Sequence, residues 1–258
     1  MNGFTLAVAA LALGLTTGVA SAQTVRVGMA PEPYPPFTEV DAAGTWTGWE
    51  IDVMWALCEA AGFECEITPM AWDGLIPALS AGQIDAIMNS MSINEDRQKV
   101  IDFSDKYYNT PAVIVTAKGD AITPDADGLA GKIIGVQVST IHQTYAEKHF
   151  GDIAGEIKAY QTQDEANQDL IAGRIDATQA DSIAMDAFLA SAEGQACCEL
   201  KGAVADDPAV LGLGVGVGLR KGDDALREAF NKAIAEIRAN GTYDAITEKY
   251  FSSSIYGE

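Results

Sequence analysis

One eight-position pattern occurs twice in the chain, and it narrows the fold more than any other feature. Leu79-Ser-Ala-Gly-Gln-Ile-Asp-Ala86 and Leu170-Ile-Ala-Gly-Arg-Ile-Asp-Ala177 share Leu-x-Ala-Gly-x-Ile-Asp-Ala, displaced by 91 residues. In each copy a helix ends at a glycine, Gly82 or Gly173, and a strand begins at the Ile-Asp pair. Helix–glycine–strand units are common, so a chance match is the plain alternative. Two lobes of similar build, each carrying one copy, account for the repeat more fully. Ligands of open α/β sheets bind beyond the carboxyl ends of the strands. The same displacement sets Ser90 and Asp181 at matching strand ends, so facing lobes turn both residues into one cleft.

The rest of the chain alternates strand-like and helix-like segments. VRVGMA reads as a strand, followed by the Pro-rich loop PEPYPPF and a helix from about Ile51 to Ala61. Strand CEITPM comes next, with Asp73 placed to cap a helix through Leu79. IDAIMN, a loop and a short helix from near Asn94 follow. The scheme repeats with KIIGVQV, a helix from His142 to Phe150, EIKAYQ and a helix over Asp164 to Ala172. The clearest helix is Asp224 to Asn240, where Leu226, Ala229, Phe230, Ala233, Ile234 and Ile237 form one apolar stripe. Asp223 can cap it and Gly241 can end it. Alternation of this kind predicts an α/β chain with mostly parallel sheets. A length of 258 residues accommodates one large domain or two lobes.

Residues 1–22 read as an address. They hold no charged side chain, and an apolar run from Phe4 to Leu15 precedes an Ala20-Ser21-Ala22 cleavage signature. The run is shorter than the roughly 20 apolar residues of a spanning helix, and the segment contains no cysteine for a lipid anchor. The mature chain is expected to start near Gln23 and to be soluble. Cysteine usage agrees with an oxidising compartment. A Cys58–Cys65 disulfide would close a short loop between a helix and a strand, contributing about 2–3 kcal/mol; two buried thiols are the alternative. Cys197 and Cys198 are adjacent, and a strained vicinal disulfide and two thiols both fit. Neither pair has further Cys or His at metal-ligand spacing.

The formal net charge is −21 and the pI about 4.2. So acidic a surface repels phosphate backbones and anionic headgroups, which argues against a nucleic-acid partner. HExxH, GxSxG and GxxxxGK[ST] are all absent. GLGVGVGLRKGD lacks GxGxxG spacing and reads as a strand closely approached by another backbone. His142 and His149 are expected to be solvated residues of one helix rather than a base and its partner.

What remains suits a zwitterion. Asn89-Ser-Met-Ser-Ile-Asn-Glu-Asp-Arg97 brings hydroxyls and a guanidinium to a helix start. The Arg97 fork can donate two parallel, charge-assisted bonds to a carboxylate. Ser90 and Ser92 add neutral contacts, Asp181 can accept from an ammonium, and Tyr34 and Trp72 can cover a side chain. Each residue alone has a duller explanation: Ser92 capping a helix, Arg97 paired with Asp102, Trp72 in the core.

Six stretches then carry a resemblance: YPPF (34–37), GWEIDV (48–53), WDGLIPALSAGQIDAIMNSMSINEDRQKVIDFSDKYY (72–108), AGRIDA (172–177), GVGLRK (216–221) and NGTYDAITEKYF (240–251). From Thr24 to Gly257 the chain resembles the periplasmic solute-binding proteins of polar-amino-acid ABC uptake systems, family 3. The nearest branch is that of the lysine/arginine/ornithine and histidine binders. The resemblance implies an α/β, two-lobed periplasmic binding protein fold (type II), hinged around a ligand cleft. Lobe one would be 24–110 plus 212–258, and lobe two 111–211. It also implies that Arg97 clamps the α-carboxylate, that Ser90, Ser92 and Asp181 hold the α-ammonium, and that Tyr34 and Trp72 sandwich the side chain. Asn89 and Met91, beside Ser90, fall in the same ligand set, as do Gln137, Thr140 and Ile141 of the second lobe.

Two departures stand out. The family's GVQxGTT loop reads Gly135-Val-Gln-Val-Ser-Thr-Ile141 here, so Ile141 lacks a hydroxyl while its amide and Thr140 can still serve. The acid that the cation-selective branch carries three residues before the sandwich tyrosine is Pro31 here, with Glu32 one residue later. Glu32 either reaches a cationic side chain or points to solvent. Asn89 replaces a frequent serine.

The expectation is therefore an extracytoplasmic binder of a polar, basic L-amino acid, delivering it to the membrane permease of an ABC importer. It would be a monomer in the periplasm, cleaved near Ala22, with no enzyme activity, cofactor, nucleic acid or stable membrane insertion. Alternatives are a neutral polar amino acid or opine as ligand, or a cyclohexadienyl or arogenate dehydratase on the same fold. A sensory receptor domain would need a spanning segment after residue 250, and the chain ends at Glu258.

Overall fold

Among the described residues, the strands form two five-stranded sheets and a small hairpin. The structure, a computed structural model, describes residues 22–257; the expected signal segment lies outside them except for Ala22. In chain order the strands are β1 (Gln23–Met29), β2 (Glu39–Val40), β3 (Trp46–Thr47), β4 (Phe63–Pro69), β5 (Ala86–Ile87) and β6 (Ile101–Tyr108). Then follow β7 (Ala112–Ala117), β8 (Ile133–Gln137), β9 (Glu156–Tyr160), β10 (Ala177–Asp181), β11 (Cys198–Ala203) and β12 (Val215–Arg220). The first sheet has the order β4-β1-β5-β12-β6 and the second β9-β8-β10-β7-β11, while β2 pairs with β3.

The two sheets are built alike, but they are mixed rather than mostly parallel. In each, three strands run parallel (β4, β1, β5 and β9, β8, β10). The remaining two join antiparallel. The cause is the crossing between sheets. β7 follows β6 directly and β12 returns from β11, so each begins at the end where the parallel strands finish. Ala112 at the start of β7 accordingly pairs with Asp181 at the end of β10.

The repeated octapeptide is a lock that each lobe uses in the same way. Gly82 and Gly173 have φ of +73° and +67°, closing their helices in left-handed backbone. The next turn brings Asp85 onto β1, where its amide donates to the Arg26 carbonyl at 2.8 Å and its carboxylate accepts from the Arg26 amide at 3.1 Å. Asp176 does the same to Ile133 of β8, at 2.9 and 2.8 Å. Ile84 and Ile175 fill the space that a Cβ would need at Gly28 and Gly135. Two lobes of similar build, not chance, explain the repeat.

The Trp49–Ala61 and Asp224–Ala239 helices pack on the first sheet. Leu226, Phe230, Ala233, Ile234 and Ile237 are buried as the stripe predicts, with Ala229 at its edge. Asp223 caps this helix by accepting from the Leu226 amide. The second lobe has its own core around Ile114, Leu129, Ile134, Val136, Tyr145 and Phe150. Cys58 and Cys65 are joined, tying the Trp49–Ala61 helix to β4 with Cα atoms 6.1 Å apart. Cys197 and Cys198 form a vicinal disulfide. Asp73 is not a cap: it lies within the 3-10 turn Trp72–Gly74 that leads into the Leu75–Ser80 helix.

Candidate functional site

The carboxyl ends of the parallel strands face a cleft between the lobes. Glu32, Tyr34, Trp72, Asn89, Ser90, Ser92 and Arg97 line it from the first lobe, and Gln137, Thr140, Ile141, His142, Gln163 and Asp181 from the second.

Arg97 is positioned by its own short helix, Glu95–Gln98, whose N-cap is Asn94 accepting from the Arg97 amide at 2.9 Å. Ser92 is not the cap. The guanidinium is buried, donates to the Ser92 carbonyl at 3.0 Å and to the Ser139 carbonyl of the other lobe at 3.3 Å, and lies 5.4 Å from the Trp72 ring centre. Burial lowers its pKa to about 10, opposed by the attraction of Asp181, so it stays cationic at neutral pH. Asp102, its surface alternative, is paired instead with Lys221 at 2.8 Å.

Asp181 ends β10 and is buried. It accepts from the Tyr34 hydroxyl at 2.6 Å, and His142 Nε2 lies 3.4 Å away. Burial, then the Asp181 charge, pushes the Tyr34 phenol well above its ordinary range, so it remains a donor. Ser90 lies beyond β5 in left-handed backbone (φ +53°). Its amide and hydroxyl both donate to Glu50, at 2.7 and 3.1 Å. Asn89 accepts from the Ala30 amide, fixing the strand end against the loop that leads to Tyr34.

On the facing lobe, Thr140 caps the Ile141–Phe150 helix, accepting from the Gln143 amide at 3.1 Å and donating to the Gln137 carbonyl at 2.7 Å. That helix therefore opens its positive end on the cleft, where Thr140, Ile141 and His142 all lie. Glu32 lines the cleft with its Oε2 buried and without a hydrogen-bond partner among the described residues, and Trp72 Nε1 is in the same state.

Two expectations are corrected. Met91 does not line the cleft: its side chain is 1% exposed and packs with Leu75, Ile84, Ile87 and Ile101 in the first-lobe core. Alternation along the Asn89–Ser92 stretch turns it inward, away from its neighbours. His142 is not solvated but buried beside Asp181, because the second position of its helix faces the cleft. His149 does lie on the surface, bonded to Asp207 at 2.8 Å. Sequence reasoning missed His142, Gln163 and Glu50. The one available signal was position: His142 continues the loop of Thr140, Gln163 opens the helix after β9, and Glu50 sits inside GWEIDV. Among the described residues no group of His, Cys, Asp and Glu could hold a metal ion.

A cleft between two like lobes, with a guanidinium from one and a carboxylate from the other, defines a type II periplasmic binding protein. The chain belongs to the bacterial extracellular solute-binding proteins, family 3, whose profile matches residues 25–253. It is 40% identical over 257 residues to the histidine-binding periplasmic protein of Salmonella typhimurium, covering 96% of this chain and 98% of that one. It is also 40% identical over 252 residues to the L-arginine-binding protein of Pseudomonas aeruginosa, covering 97% and 96%. The solved structure of an ancestral arginine-binding protein bound to arginine superposes with a TM-score of 0.80 at 35% identity, covering 89% of this chain and 98% of that one.

Proposed function

We propose that the protein captures a basic L-amino acid in the periplasm and presents it, unaltered, to the permease of an ABC importer. The observation that carries this reading is the charge layout of the cleft. Arg97 offers donors for an α-carboxylate, and Asp181 with Ser90 offers acceptors for an α-ammonium. Glu32, whose Oε2 is buried and unpartnered among the described residues, is a further acidic group, suited to a cationic side chain lying over Trp72 and Tyr34. The ligands named for the relatives, histidine and arginine, agree with it.

The bodies that close are 24–110 with 212–258 and 111–211. The bonds from Tyr34 to Asp181 and from Arg97 to the Ser139 carbonyl span them and exist only when they meet. A ligand that touches both lobes binds the closed form better and so shifts the hinge toward it. The closed monomer is the species the permease would recognise. The leading segment would direct export and be cleaved near Ala22. No helix among the described residues is long and apolar enough to cross a membrane.

The test is a thermal-shift screen of ligand-stripped protein from Gln23 onward against the common amino acids, ornithine, citrulline and opines. Ligand at 100 times its dissociation constant stabilises by ~2.7 kcal/mol. A rise with arginine, lysine, ornithine or histidine alone supports the reading. A rise with neutral or opine ligands keeps the clamp and removes Glu32 as a cation receptor. No rise, with turnover of prephenate or arogenate, would replace binding by dehydration.

A further inference from the structure

Glu50 is fully buried at the start of the Trp49–Ala61 helix, in the floor beneath the cleft. Its carboxylate collects three donors: the Ser90 amide at 2.7 Å, the Ser90 hydroxyl at 3.1 Å and the Tyr107 hydroxyl. Two of the three come from one residue, and that residue holds a left-handed backbone that serine rarely adopts. The serine hydroxyl has a single proton. With that proton directed to Glu50 Oε2, only lone pairs remain for the cleft.

We infer that Glu50 is a positioning residue that fixes the Ser90 hydroxyl as an acceptor and so makes the cleft select an α-ammonium over an α-hydroxyl. The inference rests on the reading that the ligand's ammonium lies between Ser90 and Asp181. An ammonium brings three N–H donors and a positive charge, so it satisfies the Ser90 lone pairs and Asp181 together. An α-hydroxyl brings one donor and no charge, and leaves one of the two acceptors unmet. A buried carboxylate behind Ser90 adds to the same preference electrostatically.

Glu50→Gln is nearly isosteric and inverts the arrangement. The amide oxygen keeps the Ser90 amide and Tyr107 as donors. The amide nitrogen, now in place of Oε2, donates to Ser90 Oγ and turns the hydroxyl proton toward the ligand's own N–H groups.

The experiment is a double-mutant cycle by titration calorimetry on the full mature chain, with L-arginine and its 2-hydroxy analogue as probes. Expected is a ten- to hundredfold loss for L-arginine in E50Q, shrinking below threefold when E50Q is added to S90A. The amine-to-hydroxyl affinity ratio should also fall at least tenfold in E50Q. Equal losses in both backgrounds would overturn the inference, since Glu50 would then act on structure at large. So would wild-type affinity in E50Q when S90A is weakened. Wild-type affinity in S90A itself would overturn the ammonium placement, and with it the inference, and is recognisable because it appears without any change at Glu50. If E50Q fails to fold, E50D runs through the same cycle: a shortened carboxylate withdraws from Ser90, and its cost must again vanish in S90A.

Discussion

The Tyr34 hydroxyl donates to Asp181 Oδ2 at 2.6 Å across the cleft, joining a Pro-rich loop of the first lobe to the last residue of β10 in the second. Asp181 is buried and Tyr34 half-buried, and the phenol is held protonated by desolvation and by the carboxylate it faces. The bond spans the cleft, so under the proposed closure ligand affinity includes its free energy.

Tyr34→Phe keeps the ring and removes that bond. A hydrogen bond to a charged group contributes ~1.5–3 kcal/mol, part of which the ligand's ammonium recovers by taking the vacated place on Asp181. The expected result is roughly a tenfold weaker dissociation constant by calorimetry, with small-angle scattering showing a larger open fraction of the unliganded protein. An unchanged constant would mean that the bond does not contribute to closure.

Asp181→Ala removes, among the described residues, the only carboxylate opposite Arg97 in the second-lobe lining. Breaking a desolvated charge pair costs at least ~2 kcal/mol of binding, so affinity should fall thirtyfold or more. His142 then loses its acidic neighbour as well. A loss of only a few tenths would place the ammonium elsewhere.

Arg97→Met keeps a long apolar stem over Trp72 and deletes the guanidinium. Binding of every amino acid should fall by at least ~3 kcal/mol, the cost of leaving the ligand carboxylate buried without its partner, while circular dichroism stays that of the folded chain. Normal affinity in a folded variant would remove Arg97 from the clamp.

These residues also show what the sequence made legible. Ser90 and Asp181 were found together because the repeat carries its own register, and the lock of Asp85 on Arg26 and of Asp176 on Ile133 is the physical reason that register is kept. Arg97 and Tyr34 were legible through residue chemistry joined to family resemblance. Met91 was misplaced because proximity in sequence does not say which way a side chain turns beyond a strand end. His142 was misread because a histidine in a polar helix resembles a solvated one until the helix is known to open on the cleft. The antiparallel strands β7 and β12 were invisible, since hydropathy reports burial and not strand direction.

Glu32→Gln separates the cation receptor from the zwitterion clamp. Glu32 Oε2 is buried without a donor among the described residues, so a cationic ligand side chain gains a partner there that a neutral one does not need. Arginine should lose about tenfold in affinity and glutamine less than threefold, by paired titrations. Equal losses on both ligands would end its role in selection.

The lock at Asp85 yields a stability prediction with a defined pH window. The Arg26 guanidinium, at 2.8 Å, with help from the Arg26 amide and Arg220, holds the Asp85 carboxyl at about 2 against a usual 3.8. A carboxyl depressed in the folded state binds its proton more tightly when unfolded, so its stabilisation is complete above about pH 4. It is lost as pH falls from there toward 2. Arg26 is 41% exposed, and solvent screening leaves the charge contribution at about 1 kcal/mol. Urea denaturation of Asp85→Asn should therefore show a deficit of about that size at pH 7 that closes between pH 4 and pH 2. A deficit constant down to pH 2 would show that the carboxylate charge is not what stabilises the lock.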